Sequence, residues 1–100
     1  MISMIYIGDL EDQCIDVHLV HTQAVYDLLK EKFWDKLNDV EKEDLESQMH
    51  YFKYVHLGGW RADLFNEAYR VLMASDDGWI YPLRESFEKA FKIDPRFQAA

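Results

Sequence analysis

The stretch Ile-Ser-Met-Ile-Tyr-Ile-Gly, residues 2–8, decides the fold class together with Cys-Ile-Asp-Val-His-Leu-Val-His, residues 14–21. The first is too short for a typical helix and is rich in β-branched and aromatic residues, which favours a buried strand. The second alternates, with Ile15, Val17 and Leu19 on one face, and predicts the partner strand of a hairpin. A helix running from Leu10 remains the alternative for this second stretch.

Working outward from the hairpin, apolar residues at helical spacing predict a first helix after Thr22 and a second after Asn38. Asn38 followed by Glu41 resembles a capping box, in which each residue's side chain bonds the other's backbone N–H. Gly58-Gly59 is predicted to stop the second helix in a left-handed turn. The core faces of these two helices are Val25, Leu28, Leu29, Phe33 and Leu37, and then Leu45, Met49 and Phe52.

Two further helices are predicted in the second half of the chain. Residues 60–74 carry a wide apolar stripe that includes Leu64, Phe65 and Leu72. Pro82 fits the first turn of the last helix, which ends at Asp94-Pro95. Residues 86–95 resemble the closing half of a tetratricopeptide repeat, but the family's first helix is missing at the expected spacing. The prediction is an α+β fold in which a short N-terminal β-hairpin packs against about four α-helices, as one compact domain over residues 1–100.

Composition bears on location and partners. The 100 residues carry 19 acids against 11 lysines and arginines, a net charge of −8. Such a field repels phosphates and anionic lipid, which disfavours direct binding to nucleic acid or membrane and favours a basic protein partner. Net charge of this size also keeps a small domain soluble. No apolar run approaches a membrane span, no signal peptide is recognisable, and the lone Cys14 favours a reducing compartment, so the expected location is cytoplasmic.

The sequence gives only weak signals for a metal or catalytic site. Cys14, His18 and His21 would share a face if their segment were helical, and His50 and His56 could add ligands. On a strand, His21 points away from the other two, and the spacing matches no compact zinc signature. The four glycines form no phosphate-binding loop. We therefore predict no cofactor and no enzymatic activity, while a metal-binding or enzymatic domain using Cys14 and the histidines is the alternative.

The predicted partner-binding residues are acids and large rings. Five acids and one base lie within residues 39–46, at the start of the second predicted helix, and rings crowd residues 51–60. Such acids can steer a basic partner, and Tyr and Trp often anchor interfaces. A solvated helix start and an aromatic core explain the same residues, and the core is preferred for Phe52 and Phe65. The candidates are Asp39, Glu41, Glu43, Asp44, Glu46, Tyr51, Tyr54, Trp60, Asp76, Asp77, Trp79 and Tyr81.

These features favour a small acidic protein-binding module, most plausibly an inhibitor, antidote or immunity-type protein that docks on a basic surface of its target. Nucleic-acid mimicry is a variant in which the second-helix acids act together with Asp9, Glu11, Asp12 and Asp16. A homodimer is a further hypothesis, with the first strand pairing edge to edge across a two-fold axis.

Overall fold

Two strands near the N-terminus and one near the middle of the chain form a three-stranded sheet. The computed structural model describes residues 1–99. Strand β1 (Ile2–Tyr6) lies in the centre, antiparallel to β2 (Cys14–His18) and parallel to β3 (Tyr54–His56). The predicted hairpin is confirmed, but its second strand ends at His18, and Leu19, Val20 and His21, predicted as strand, begin the first helix. Because β1 is paired on both sides, it has no free edge through which a second copy could pair, and the homodimer itself stays a prediction.

Four α-helices follow the hairpin, which confirms the α+β class. They are α1 (Leu19–Phe33), α2 (Asp39–Ser47), α3 (Ala62–Ala74) and α4 (Arg84–Lys92). The chain enters α1 three residues before Thr22, so the predicted N-cap is wrong. Thr22 is instead fully buried and donates a hydrogen bond to Ser3 Oγ at 2.8 Å, and Ser3 in turn donates to the carbonyl of Lys53. This chain of bonds ties α1, β1 and the start of β3 together.

The end of α2 differs most from the prediction. The capping box is confirmed, with Asn38 and Glu41 exchanging bonds of 2.8 Å. The helix then widens into a single π-turn over Gln48–Phe52, and Lys53 adopts a left-handed conformation with φ of 58°. The stop at Gly58-Gly59 is therefore wrong, because the reversal occurs at Lys53 and the next residues form β3. Phe52 is carried out of the core and is 64% exposed.

The hydrophobic core lies between one face of the sheet and the helices. Ile5 and Val55 point inward from neighbouring strands and pack with Phe33 of α1, Phe65 of α3 and Phe91 of α4. Side chains alternate across a strand, so the residues between these inward positions lie on the opposite face. The radius of gyration is 12.2 Å, as expected for a compact domain of this length. Within residues 1–99, no helix has the length and apolar character needed to cross a bilayer.

A buried ion pair fastens the C-terminal segment to the sheet. Arg96 contacts the Asp94 carboxylate at 2.8 and 2.9 Å and donates to the backbone carbonyls of Leu57 and Trp60, each at 2.8 Å. Gln13 also donates to Asp94, at 2.8 Å. These hydrogen bonds, chiefly those from Arg96, lower the pKa of Asp94 to about 2. Beyond its predicted role at the helix end, Asp94 is thus the centre of a polar cluster that joins both ends of the chain.

Candidate protein-docking site

The sheet face opposite the core carries no buried side chain. We call it the open sheet face, and it consists of the outward residues of the three strands together with Phe52. Ile2 is 77% and Phe52 64% exposed, Asp16 and His18 are also exposed, and the other five residues are half-buried. The open sheet face comprises Ile2, Met4, Tyr6, Cys14, Asp16, His18, Phe52, Tyr54 and His56. A surface this rich in apolar and aromatic groups is unusual for a sheet face turned to water.

Four rings form a continuous cluster on the open sheet face. Phe52 stacks on Tyr54 with ring centroids 5.6 Å apart, and Tyr54 meets Tyr6 edge-on at 5.3 Å. Tyr6 stacks on His56 at 5.0 Å. These separations are typical of favourable aromatic pairs, so the rings hold one another in place. The result is a preorganised aromatic platform that a partner could contact without ordering it first.

Two sulfur atoms lie beside this platform. The Tyr6 hydroxyl donates to Met4 Sδ at 3.1 Å, and the Cys14 thiol lies 3.2 Å from the same sulfur. Burial, followed by the charge of Asp16, raises the pKa of Cys14. The pKa of Tyr6 is raised by burial first and then by Cys14 and other acidic neighbours. A protonated thiol is a poor nucleophile, so the geometry gives no support to covalent chemistry at Cys14.

The rings of His18 and His21 lie 6.4 Å apart, but Cys14 does not complete a three-ligand site with them. Cys14 contacts Met4, whereas His21 Nδ1 lies 2.7 Å from the backbone carbonyl of Trp79, on the helical side of the sheet. Within the described residues 1–99, no three Cys, His, Asp or Glu side chains are placed to hold a metal ion.

Charge on and beside the open sheet face is negative. Asp16 is exposed on β2, and Asp9, 86% exposed, lies 3.5 Å from His56 Nε2. None of the nine residues of the face is a lysine or arginine. Lys53, which precedes β3, lines a separate depression beside Tyr26 of α1. The rings are therefore bordered by carboxylates, which suits a cationic partner.

The acidic helix α2 borders the sheet at its β3 edge. A small cleft of about 120 Å³ lies between them, lined in part by Asp44 of α2 and His56 of β3. Asp39, Glu43, Asp44 and Glu46 are exposed. Glu41 is half-buried, completes the capping box and lies 3.3 Å from Arg61, so its carboxylate is already engaged.

The predicted aromatic anchors separate into three environments. Tyr54 belongs to the open sheet face. Tyr51, three residues earlier, is 73% exposed, and its ring packs against His50. Trp60 is only 7% exposed and packs edge-on against Phe33 at 5.4 Å. Its placement in a binding surface is therefore corrected: Trp60 is a core residue, because the turn after β3 directs it inward. Phe52, assigned to the core, is instead on the surface.

The remaining predicted residues lie elsewhere. Asp76, Asp77, Trp79 and Tyr81 are exposed on the loop between α3 and α4. Asp77 and Trp79 face α1 across a groove, on the helical side of the sheet. Sequence reasoning thus identified two separate surfaces as one site, and it missed Met4, Tyr6, Asp16 and His56 as members of a common face. Residues 2–7 are an almost continuous apolar run whose one polar residue, Ser3, is buried, so their polarity does not show that Met4 and Tyr6 face outward.

Comparison with protein-family models, with curated proteins and with solved structures found no match to this chain.

Proposed function

We propose that this protein is a binding module that receives a basic surface of another protein on its open sheet face, with the exposed acids of α2 extending the contact. The observation that carries the proposal is the aromatic platform of Tyr6, Phe52, Tyr54 and His56, which is preorganised and left uncovered by the helices. Exposed rings of this kind are typical anchors of protein interfaces.

The charge around the platform favours a protein over a nucleic acid. Aromatic sheet faces also stack nucleotide bases, but phosphate binding requires lysines and arginines beside the rings. Here Asp9 and Asp16 occupy those positions, and the net charge of −8 opposes a polyanion. Arginine and lysine side chains of a partner can instead lie on the rings and pair with the carboxylates.

An inhibitor, antidote or immunity-type protein is the biological role that fits such a surface best. A preorganised acidic and aromatic face can cover a basic active or nucleic-acid-binding region of a target, because its charge speeds encounter and its rings supply affinity. Mimicry of a nucleic acid is a variant of the same role. Asp9, Glu11, Asp12 and Asp16 are all exposed and are the acids that this variant would use.

The test compares two double variants that are matched in charge and in loss of apolar surface. Phe52→Ser/Asp16→Lys alters the open sheet face, and Ile93→Ser/Asp35→Lys makes the same kinds of change at exposed positions elsewhere. A basic protein captured from the native host by wild type is purified, and its affinity for each variant is measured by biolayer interferometry. We expect the sheet-face variant to bind at least about tenfold more weakly and the control variant to bind like wild type.

Salt dependence supplies a second readout. Reversing Glu43, Asp44 and Glu46 together should slow association strongly at low salt and much less at high salt, because exposed charges are screened. Glu41 is left intact, since its carboxylate caps α2. Equal binding by both double variants, together with an unchanged association rate after charge reversal, would rule out this surface as the docking site.

A further inference from the structure

A second site, at the exposed Trp79, lies between α1 and the loop before α4. It adjoins the edge of the open sheet face, because the ring of His21 lies 6.4 Å from that of His18. Trp79 is 52% exposed, yet its backbone is fixed on both sides. Its N–H donates to Asp77 Oδ1 at 2.8 Å, and its carbonyl lies 2.7 Å from His21 Nδ1. The His21 ring also meets the indole edge-on, with centroids 5.6 Å apart. A large ring is therefore held at the surface in a defined position.

The indole forms one wall of a groove between α1 and the loop before α4. The groove has a volume of about 340 Å³, and its apolar lining comes from Val20, Leu28, Trp79 and Ile80 among others. Val20 is 41% exposed, so part of this lining is open to solvent. The space is sufficient for one long side chain of a partner and its backbone neighbours.

Carboxylates form the rim of the same groove. Asp27 and Glu31 lie one turn apart on α1, and Asp77 faces them from the loop. Asp27 accepts a bond from the neutral amide of Gln23 at 3.0 Å. Within residues 1–99, none of these three carboxylates takes part in an ion pair, and no lysine or arginine lines the groove.

From this arrangement we propose that the groove binds a lysine or arginine side chain carried on a segment of a partner protein. The hydrocarbon stem of such a residue would lie along Val20, Leu28 and Ile80, and its cationic head would lie against the indole and the rim carboxylates. An uncharged apolar side chain would fill the same walls but would leave the carboxylates unpaired, so the rim selects for a cation.

The proposal rests on the proposed function for the basic character of the partner, but the two can fail separately. The probe is a pentapeptide, acetyl-Ser-Leu-Arg-Leu-Ser-amide, titrated into the ¹⁵N-labelled full chain and followed by NMR. The three tryptophan indole N–H signals serve as reporters, since Trp60 is buried and Trp34 is half-buried at another location. We expect a saturable shift of the Trp79 signal, with the other two unchanged.

Two comparisons test the charge requirement. A peptide with citrulline, the neutral isostere of arginine, should bind about five- to tenfold more weakly, and a peptide with norleucine in place of the arginine should show a similar loss. Asp27→Asn/Glu31→Gln should reduce the affinity for the arginine peptide by a similar factor. Glu85→Gln/Glu88→Gln, a pair of exposed acids about one turn apart on α4, should not.

Equal affinity for the arginine and citrulline peptides, or the absence of a Trp79 shift, would overturn the proposal. Phe52→Ser/Asp16→Lys should leave peptide affinity unchanged, because it alters only the open sheet face. Failure of the peptide to bind would thus rule out the groove as a binding site, whereas the proposal for the open sheet face would still depend on its own test.

Discussion

Replacing Asp94 by Asn should remove the charge at the centre of the cluster that fastens the C-terminal segment. Asp94 is 7% exposed, and Arg96 holds its carboxylate through two short bonds. A fall in the pKa of Asp94 from 3.8 to about 2 corresponds to about 2.5 kcal/mol of folding free energy, at about 1.36 kcal/mol per pKa unit. We therefore expect Asp94→Asn to lower the free energy of unfolding at pH 7 by about 2–3 kcal/mol.

The sign of the pH dependence follows from the direction of the shift. A carboxyl group whose pKa is lower in the folded state stabilises the fold above its unfolded pKa, and this contribution is lost as pH falls through the folded pKa. The difference between wild type and Asp94→Asn should consequently be constant from pH 7 to about pH 5 and shrink towards pH 2. The other carboxylates are common to both proteins, so the difference isolates Asp94.

Urea unfolding, followed by circular dichroism at several pH values, measures this difference directly. Asp76→Asn, at an exposed loop position, provides a control that should change stability by less than about 0.5 kcal/mol. A difference between wild type and Asp94→Asn that stays below about 1 kcal/mol at pH 7, or that does not shrink in acid, would refute the role assigned to the ion pair.

Four further predictions follow from single contacts. Thr22→Val should lower the free energy of unfolding, measured in urea, by about 1–2 kcal/mol, because it leaves the Ser3 hydroxyl without its buried hydrogen-bond donor. Lys53→Gly should raise the free energy of unfolding by about 0.5–1 kcal/mol, since glycine adopts positive φ without strain. A lower free energy of unfolding would contradict the left-handed turn at Lys53. Trp60→Ala should cost about 3–5 kcal/mol, whereas Trp79→Ala should change the melting temperature little. The Cys14 thiol should react more slowly with a disulfide reagent at neutral pH than a free cysteine does, and a faster reaction would contradict its raised pKa.

The hairpin and the four helices could be predicted because their signals are local. Alternation in residues 14–18 and helical spacing in residues 62–74 reflect contact with one common core, and the Asn38 cap acts within a single turn. The predicted start of α1 is four residues late, since Thr22 has the chemistry of a cap whereas the observed N-cap is His18. The Thr22 hydroxyl instead bonds Ser3, a contact that spacing along the chain does not reveal.

The candidate site was harder to predict because it depends on β3. A strand of three residues has too short a pattern to recognise, and Lys53 gives no sign that it will adopt a left-handed conformation. If β3 is not recognised, the helical spacing of Leu45, Met49 and Phe52 assigns Phe52 to the core. With β3, Phe52 and Tyr54 join Tyr6 on the open sheet face, while Trp60 turns inward against Phe33.

Side-chain oxidation footprinting of the purified complex with its basic partner tests the central proposal most directly. Hydroxyl radicals modify methionine and aromatic side chains that solvent can reach, and the open sheet face supplies exposed Phe52 together with half-buried Met4 and Tyr54. The proposal predicts that these three residues become protected in the complex, while exposed Ile93 keeps its reactivity. Unchanged reactivity at all three, with protection confined to other surfaces, would contradict it.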